Sequence, residues 1–594
     1  MRPREQTVPM RLPSALGVAG FCVASLLAPS PAGSEAAARS GRLAVTAPSA
    51  QWRAEVQSAP GREVLAMRPQ GNIPDMAALA NGNIVVSGTA GAEHKVNGGH
   101  LAVAELLPNG RLDPGFGNGG VELTGVRLQP WQTIAMPDGR VLILGPNRAP
   151  GSQQPRVTRF PDWEVLRLLP DGRPDPSFGH AGFLEVSGVP VPSEGPGHSI
   201  APELAPNGAI LLPTVIGPLF TPTMTSGLVR LNPDGSRDAS FGSAGVAQLP
   251  APLEAFSVGS DGSTVAAVGE QSGALLLRLT AGGGLDPSFN GGSPVQLPLY
   301  RLDSLLLEPD GAAEMHGYPS SNSLIDTKIW RFTGSGAPDA SWGSGGAVDL
   351  GPAYGYVNQL LPAGGGASLL VTMGLLTPSG AEAARVRILH LTSTGQIEPA
   401  AGAPSGLLTL PFGGGSYAPG RIADLHQNSF TPTGVIQRAG GTLLFNGSVE
   451  ASEAFQTEGG PELVAGISGF ALAVLDSSYR PDPAFTGVTR FRLAARVTST
   501  RLTSNGIAVR LSSSHAAMSV VTVTAAGQII ARGTVPFFSM ERTINVRTAR
   551  IPLTRAGKRL LRRHRRFVNV AVRVAGADLA ANHAAARTSA RLAG

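Results

Sequence analysis

Short apolar runs separated by Asn-Gly or Asp-Gly pairs recur along most of the chain. Examples of the runs are Ile84–Val86, Leu101–Leu106, Val141–Leu144 and Leu275–Leu279. Runs of this length suit β-strands better than helices. An Asn-Gly or Asp-Gly pair between two such runs indicates a hairpin, because both turn residues need positive φ. The pattern therefore predicts many short strands joined by tight turns.

One segment, typified by Pro-Asp-Gly-Arg-Pro-Asp-Pro-Ser-Phe-Gly, recurs seven times. Six copies keep an aspartate followed three residues later by an aromatic residue, and the copy at 391–399 has Glu398 instead. We expect each aspartate to bond backbone amides in its turn and each aromatic side chain to pack between neighbouring sheets. The pairs are Asp113 and Phe116, Asp175 and Phe178, Asp238 and Phe241, Asp286 and Phe289, Asp339 and Trp342, and Asp482 and Phe485.

A second hairpin segment alternates with the first, and it also occurs seven times between Pro74 and Gly487. One pair of segments therefore occupies about 59 residues. Two hairpins make four strands, and a four-stranded sheet that recurs around a ring is a β-propeller. The predicted fold is all-β, with a seven-bladed β-propeller. We expect the ring to close through the segment near Gly61–Met67 or Val488–Leu493.

The aspartates of the repeat have an alternative interpretation as calcium ligands. Asn232, Asp234 and Asp238 have the spacing of oxygen ligands in a metal loop. Ala, Leu and Gly replace these residues in other copies, and no glutamate closes the loop. The turn interpretation is therefore favoured, and no metal or other cofactor is expected.

The repeated phrase, followed by its Asp-Gly hairpin, resembles the delta-60 repeat proteins. The resemblance covers about residues 61–487, and it is weakest in the sixth copy, where Glu398 stands. It implies an exported bacterial β-propeller protein. The family carries no known catalytic residues, so the resemblance implies none here.

The first 38 residues have the pattern of an export signal. Arg2, Arg4 and Arg11 precede the apolar run Leu12–Ala28, and three alanines at 36–38 offer a cleavage site. A retained membrane anchor is the alternative, but the run is short for a bilayer span. The single cysteine, Cys22, lies inside this run, so the mature chain would have no disulfide. Residues 39–60 are predicted to be a linker.

Charge divides the chain after the last repeat. Residues 488–594 contain 19 Lys and Arg but only Glu541 and Asp578 as acids, a net charge of +17. The preceding residues then carry −11, so the overall +6 is a cancellation. Alternating runs such as Ile507–Leu511, Met518–Val523 and Phe567–Val574 predict six or seven strands. We expect a separate basic domain over 488–594, a small immunoglobulin-like β-sandwich.

The most basic stretch of this domain is 553–566. Thr554 is placed to cap a short helix whose Leu560 and Leu561 turn inward. Its charges suggest an anionic partner; the alternatives are a solvated helix, contact with the acidic propeller, or a general arginine bias of the chain. The patch comprises Lys558, Arg559, Arg562, Arg563, Arg565 and Arg566.

No catalytic motif stands out in the sequence. We therefore expect an exported, non-enzymatic binding or scaffold protein, monomeric, whose propeller recognises a ligand or another extracellular protein. The basic domain would associate with a cell-envelope polymer; nucleic acid is not expected as a partner. The alternative is a lyase or hydrolase that acts on polysaccharide in the propeller channel. It would need ionisable groups in the irregular stretches Pro146–Trp163, Gly188–Pro202 and Gly413–Pro432.

Overall fold

A computed structural model describes residues 54–593 except for several segments. Those left out are 60–61, 68–71, 91–99, 147–159, 193–199, 219–220, 222, 271–272, 300, 319–327, 351–356, 365–366, 374–384, 400–406, 410–427, 439, 458–459, 486–491, 515–516, 538–544, 564–566 and 579–582. The described part is almost entirely β-structure, with one α-helix and one 3₁₀ turn, Asn290–Gly292.

Seven antiparallel sheets, called sheets 1 to 7 here, follow one another up to residue 475. In sheets 1 to 5, strands consecutive in the chain are neighbours, as in propeller blades. Sheet 1 contains β3 (Asn72–Ala78), β4 (Ile84–Ala90), β5 (His100–Leu106) and β6 (Val121–Leu123); sheet 2 contains β7 (Gln132–Ala135), β8 (Val141–Pro146), β9 (Asp162–Leu168) and β10 (Phe183–Pro190); sheet 3 contains β11 (Glu203–Leu204), β12 (Ile210–Ile216), β13 (Thr225–Leu231) and β14 (Val246–Gln248).

The next sheets keep the same order, and sheets 6 and 7 have additional strands. Sheet 4 contains β15 (Leu253–Val258), β16 (Thr264–Glu270), β17 (Gly273–Leu279) and β18 (Val295–Gln296); sheet 5 contains β19 (Arg301–Leu307), β20 (Ala313–Tyr318), β21 (Lys328–Phe332) and β22 (Ala347–Asp349); sheet 6 contains β23 (Val357–Gly364), β24 (Ala367–Met373), β25 (Arg385–Leu391), β26 (Ile397–Pro399) and β27 (Leu407–Thr409); sheet 7 contains β28 (Asn428–Gln437), β29 (Leu443–Thr457) and β30 (Gly460–Leu475), together with β2 (Arg62–Met67) and β1 (Ala54–Ala59).

The two strands at the beginning of the described chain belong to the last sheet of the series. β2 pairs antiparallel with β30, with Arg62 opposite Ala473 and Leu65 opposite Phe470. Residues 61–67 are one of the two segments expected to close the ring; most of the other, 488–493, lies outside the described residues. A linker is predicted over 39–60, and the strand β1 lies inside that range. β1 pairs with β2 along its whole length.

Both faces of the middle strands are buried between sheets. In β4, Ile84 and Val86 pack with residues of sheet 7, and Val85 between them packs with residues of sheet 2. Similar cores lie between sheets 2 and 3, 3 and 4, 4 and 5, and 5 and 6. This two-sided burial explains why the middle strands are continuous apolar runs rather than alternating ones.

Residues after 491 form two further sheets and the helix. One sheet has the order β31-β32-β35 and the other β34-β33-β36-β37, and both contribute to one core that includes Val509, Leu511, Val521 and Val572. The elements are β31 (Leu493–Val497), β32 (Ile507–Ser513), β33 (Ala517–Ala525), β34 (Gln528–Phe537), β35 (Asn545–Ile551), α1 (Arg555–Arg563), β36 (Phe567–Asp578) and β37 (His583–Ala593).

The turn glycines of the repeat make tight contacts between sheets. Gly283 has φ +82, and a Cβ built there would lie 2.8 Å from the Gly242 nitrogen and 2.9 Å from the Phe241 ring. Gly119 also has positive φ, +68, but a Cβ there meets nothing within 4 Å. The two glycines therefore share the conformational requirement and differ in packing.

We expect Gly283→Ala to lower the free energy of unfolding by about 2–4 kcal/mol, because about 1 kcal/mol of left-handed strain adds to about 1–3 kcal/mol of overpacking. Gly119→Ala should cost only the strain, about 1 kcal/mol. Urea unfolding followed by tryptophan fluorescence measures both, since all five tryptophans precede residue 488. Equal losses in the two variants would contradict the packing argument.

Candidate functional site

The aspartates of the repeated turn bond backbone amides two residues ahead. Asp175 Oδ1 accepts from the Ser177 nitrogen at 2.9 Å and from the Ser177 hydroxyl at 2.7 Å. The Ser240 and Ser288 hydroxyls donate to Asp238 and Asp286 in the same way and lower the pKa of both carboxyls. The other turns have the corresponding backbone bond, from Gly115 to Asp113, Ser341 to Asp339 and Ala484 to Asp482.

An arginine that was not recognised from the repeat holds the second oxygen of several of these aspartates, and it is buried in sheets 2 and 5 and half-buried in sheets 3 and 4. It lies eight residues before the aspartate, on the third strand of its sheet. Arg167 Nε donates to Asp175 Oδ2 at 2.8 Å, and the Arg167 guanidinium also donates to the Pro233 carbonyl in the turn of the next sheet. Equivalent pairs join Arg230 to Asp238, Arg278 to Asp286 and Arg331 to Asp339.

The aromatic side chains lie between neighbouring sheets. The Arg167 guanidinium stacks 4.6 Å from the centre of the Phe178 ring. A Cβ built on Gly235, in the turn of sheet 3, would lie 3.0 Å from the same ring. Phe116, Phe241, Phe289 and Trp342 meet Gly172, Gly283, Gly336 and Gly395 similarly, and Phe485 packs in the core between sheets 7 and 1.

In three sheets, another residue takes the place of this arginine. In sheet 1, Glu105 occupies its position, and the Asn83 amide bonds both Glu105 and Asp113, at 2.6 and 3.1 Å. Burial raises the pKa of Glu105. In sheet 6, His390 lies 3.9 Å from the exposed Glu398. In sheet 7, Arg438 comes from the hairpin between β28 and β29, and it reaches the Gly82 carbonyl of sheet 1 at 3.2 Å.

These contacts bear on the calcium alternative. Asp238 accepts hydrogen bonds from the Ser240 nitrogen through Oδ1 and from Arg230 through Oδ2. Asp234 accepts one from the Ser236 nitrogen at 2.8 Å. Among the described residues, no group of three or more His, Cys, Asp or Glu is arranged to hold a metal ion. The geometry of this loop is therefore that of a hydrogen-bonded turn.

A second group of carboxyls lies on the first strands of the sheets, which are sheet edges. Asp75 on β3 accepts from the Thr133 nitrogen of β7, Glu203 on β11 from the Val258 nitrogen of β15 at 2.8 Å, and Glu254 on β15 from the Leu302 nitrogen of β19 at 2.9 Å. The pairing of Met136 with Arg140 places the Thr133 amide on the free side of its strand, where an amide has no ladder partner. Each carboxyl therefore satisfies an edge amide of the next sheet.

Burial changes the titration of this group. It raises the pKa of Asp75 to about 7 and that of Glu203 to about 8, although each accepts a backbone hydrogen bond that acts in the opposite direction. Neither residue belongs to the repeated motif, which explains why sequence reasoning missed them. The only available signal was an acidic residue a few positions before a hairpin.

Sheet 5 has a buried ionisable cluster without counterpart in the repeat. Glu314, fully buried on β20, accepts from Arg331 at 3.2 Å and from the Ser368 hydroxyl of sheet 6 at 2.7 Å. Burial raises the pKa of Glu314 and of Glu308. Burial lowers the pKa of His316 to about 3, so this histidine is neutral. Since Glu314 and His316 are inaccessible, the cluster joins two sheets rather than offering a reactive surface.

The predicted basic patch lies on α1 and just after it. The Thr554 hydroxyl accepts from the Gly557 nitrogen at 3.2 Å, an N-cap, and Leu560 and Leu561 pack against the core. Gly557 is buried against the Ile530 carbonyl, which leaves no room for a Cβ. Lys558, Arg559, Arg562 and Arg563 are exposed, and Arg565 and Arg566 lie outside the described residues.

Several sequence predictions fall partly or wholly outside the described residues. They include the export signal 1–38 with Cys22, and large parts of the stretches 146–163, 188–202 and 413–432 that the enzyme alternative requires. That alternative thus stays a prediction. Within the part of the chain that is described, no helix is long and apolar enough to cross a membrane.

Comparison with known proteins agrees with propeller-type sheets. A family model described as "Domain of unknown function (DUF5122) beta-propeller" matches residues 79–116, 159–178 and 223–241. These segments cover parts of the first three repeat copies. No curated protein matches the sequence.

Solved propeller structures resemble the chain only distantly. Prolyl oligopeptidase B from Galerina marginata, bound to a 25mer macrocyclization substrate, aligns with 10% identity and a TM-score of 0.31, over 67% of this chain and 53% of its own. Regucalcin from Agrobacterium tumefaciens, a calcium-binding protein, aligns with 10% identity and a TM-score of 0.23, over 46% of this chain and 83% of its own. The chain thus spans about half the length of the oligopeptidase it matches.

The edge carboxyls predict a pH dependence of stability. Between about pH 4 and pH 8, the unfolded chain loses protons from Asp75 and Glu203 that the folded chain retains, so stability falls as pH rises. We expect a decline on the order of 4 kcal/mol for each carboxyl, about 1.4 kcal/mol for each pH unit between the ordinary and the raised pKa. The double variant Asp75→Asn and Glu203→Gln should lose most of this decline, because amide side chains do not titrate. Their oxygens still accept the backbone hydrogen bonds, so the fold should be kept.

Urea midpoints between pH 4.5 and pH 8.5, read by tryptophan fluorescence, measure the slope. Asp138→Asn, which removes an exposed hairpin carboxyl, is the matched control and should keep the wild-type slope. If the double variant and the wild type decline in parallel, these two carboxyls do not control the pH dependence.

Proposed function

We propose that the chain is an exported, non-enzymatic binding protein of the delta-60 repeat type, held at an anionic polymer of the bacterial cell envelope by its basic C-terminal domain. The propeller would recognise a ligand or another extracellular protein. The proposal places the protein outside the cytoplasm, as a secreted or envelope-associated monomer, in keeping with the signal pattern of residues 1–38.

The architecture we infer is a seven-bladed β-propeller over 61–487. Its support is the series of seven sheets, with β2 completing the last one. A further support is the core in which Leu444, Leu472 and Phe485 of the last sheet pack with Ile84 and Val86 of the first. A ring closed in this way joins the two ends of the repeat region through the backbone hydrogen bonds between β2 and β30.

For 488–594 we infer an immunoglobulin-like sandwich. Seven strands form a three-stranded and a four-stranded sheet on one core, which is the size and layering of that class. The stretch before β32 also bonds the last strand, since the Leu502 nitrogen donates to the Ala593 carbonyl and the Ala593 nitrogen to the Thr500 carbonyl. The helix α1 connects the two sheets between β35 and β36.

The charge at the surface of this domain carries the functional proposal. Fifteen Lys and Arg side chains are described after residue 491; fourteen are exposed and Arg532 is half-buried. The side chains of the two acids of this domain, Glu541 and Asp578, lie outside the described ones. The arginines of the repeat, by contrast, are paired with aspartates. A concentration of exposed positive charge favours a polyanionic partner.

The proposal predicts association that depends on salt. The full chain should sediment with isolated bacterial envelopes at about 50 mM salt and be released at about 500 mM, because the Debye length falls with ionic strength. A variant with glutamine at Lys558, Arg559, Arg562, Arg563, Arg565 and Arg566 should be released at lower salt than the wild type.

A protein that stays in the supernatant at low salt would overturn the proposed attachment. The triple variant Arg140→Gln, Arg173→Gln and Arg237→Gln removes charges from the repeat region and serves as control. Its release profile should match that of the wild type.

A further inference from the structure

The solvent face of the four-stranded sheet carries a row of arginines. Arg532 lies opposite Thr522, Thr522 opposite Arg573, and Arg573 opposite Arg587, so the four side chains cross all four strands on one face. The neighbours Val521, Val523, Val572 and Val574 are buried on the other face. With strands about 4.8 Å apart, the row spans about 14 Å.

The row is electrostatically unfavourable in the free protein. Arg573 and Arg587 are directly opposite each other, and like charges in that position destabilise a sheet. Among the described side chains of this domain there is no carboxylate to neutralise them. Arg573 and Arg587 are both exposed, so the row is open to a ligand.

An aromatic side chain lies on the same face, at one end of the sheet. Phe567 is 57% exposed, and the Arg591 guanidinium lies 4.3 Å from the centre of its ring. Arg591 is on β37, in the same alternation as Arg587, so its side chain faces the row. We call Arg532, Arg573, Arg587, Arg591 and Phe567 the arginine face.

We propose that the arginine face binds a linear acidic polysaccharide. The inference rests on the proposed attachment to an anionic polymer and names its chemistry and its site. Guanidinium groups pair with carboxylates through two parallel hydrogen bonds, and the strand spacing is comparable to the length of one sugar residue. The apolar face of a sugar ring can pack on Phe567.

Other polyanions fit this face less well. Single-stranded nucleic acid is bound by several aromatic side chains on which successive bases stack, and among the described residues of this face Phe567 is the one aromatic side chain. A membrane surface favours an amphipathic element with large apolar side chains that penetrate the headgroups. The outward residues around the arginine face are instead mostly short or basic, and Val520 among them is buried.

Three triple variants of the full chain, each lacking three positive charges, test the location. They are Arg532→Gln with Arg573→Gln and Arg587→Gln on the arginine face, Arg559→Gln with Arg562→Gln and Arg563→Gln on α1, and Arg496→Gln with Arg510→Gln and Arg550→Gln on the three-stranded sheet. We expect the first to weaken binding to polygalacturonate at least tenfold and the other two less than threefold. Equal weakening by all three would overturn the proposal, because net charge alone would then explain binding. Circular dichroism checks that each variant is folded.

Phe567→Ala tests whether the arginine face recognises sugar rings. It should weaken binding to polygalacturonate several-fold and leave binding to polyacrylate, a polycarboxylate without sugar rings, unchanged. Equal effects on both polymers, or tighter wild-type binding to polyphosphate or an oligonucleotide than to polygalacturonate, would contradict an acidic polysaccharide.

Envelope sedimentation separates this inference from the proposed function. If the wild type binds envelopes but not polygalacturonate, only the inference that the ligand is an acidic polysaccharide is overturned. Polygalacturonate binding through the arginine face without envelope binding would instead overturn the proposed attachment.

Discussion

The sheets of the repeat depend on one contact, the placement of a turn glycine of one sheet against the aromatic ring of the sheet before it. Gly235 fits against Phe178 because it has no Cβ and because its φ is +90. The Gly179 nitrogen, next to that ring, donates to the Asp234 carbonyl in the same turn. Ring, backbone bond and the Arg167 guanidinium therefore fix this turn at three points. A turn held in this way sets the position of the next sheet.

The arginines have different surroundings in the repeat and in residues 488–594. In the repeat, an arginine on the third strand pairs with the aspartate eight residues later. Arg167 and Asp175 form such a pair, and both are buried. A buried pair holds its geometry because removing one partner leaves an uncompensated charge. Among the described residues after 491, most arginines lie on strands or on α1, where solvent and a ligand can reach them. The same residue type thus performs a structural role before residue 488 and, in our proposal, a binding role after it.

The parts of the fold that follow from local chemistry could be predicted from the sequence. Asp175 and Ser177, two residues apart, indicate a hydrogen-bonded turn, and the glycine at 172 needs positive φ. Arg167 could not be recognised as part of the repeat, because the same position is Glu105 in sheet 1 and His390 in sheet 6. Asp75 and Glu203 bond amides more than fifty residues away, so only the packing of the sheets reveals their role. The arginine row was hidden for the same reason, since Arg532, Arg573 and Arg587 become neighbours through strand pairing.

Strand pairing also bears on which basic surface is better suited to bind a polymer. The charges of α1 lie on one side of a single helix of nine residues, within a length of about 8 Å along its axis. The arginine face fixes its charges in a line, because the pleat directs every second side chain to one side and the register sets their order. A linear polymer can meet Arg532, Arg573 and Arg587 together without first ordering them. Preorganisation of this kind reduces the entropy lost on binding, which favours the sheet over the helix as the place of recognition.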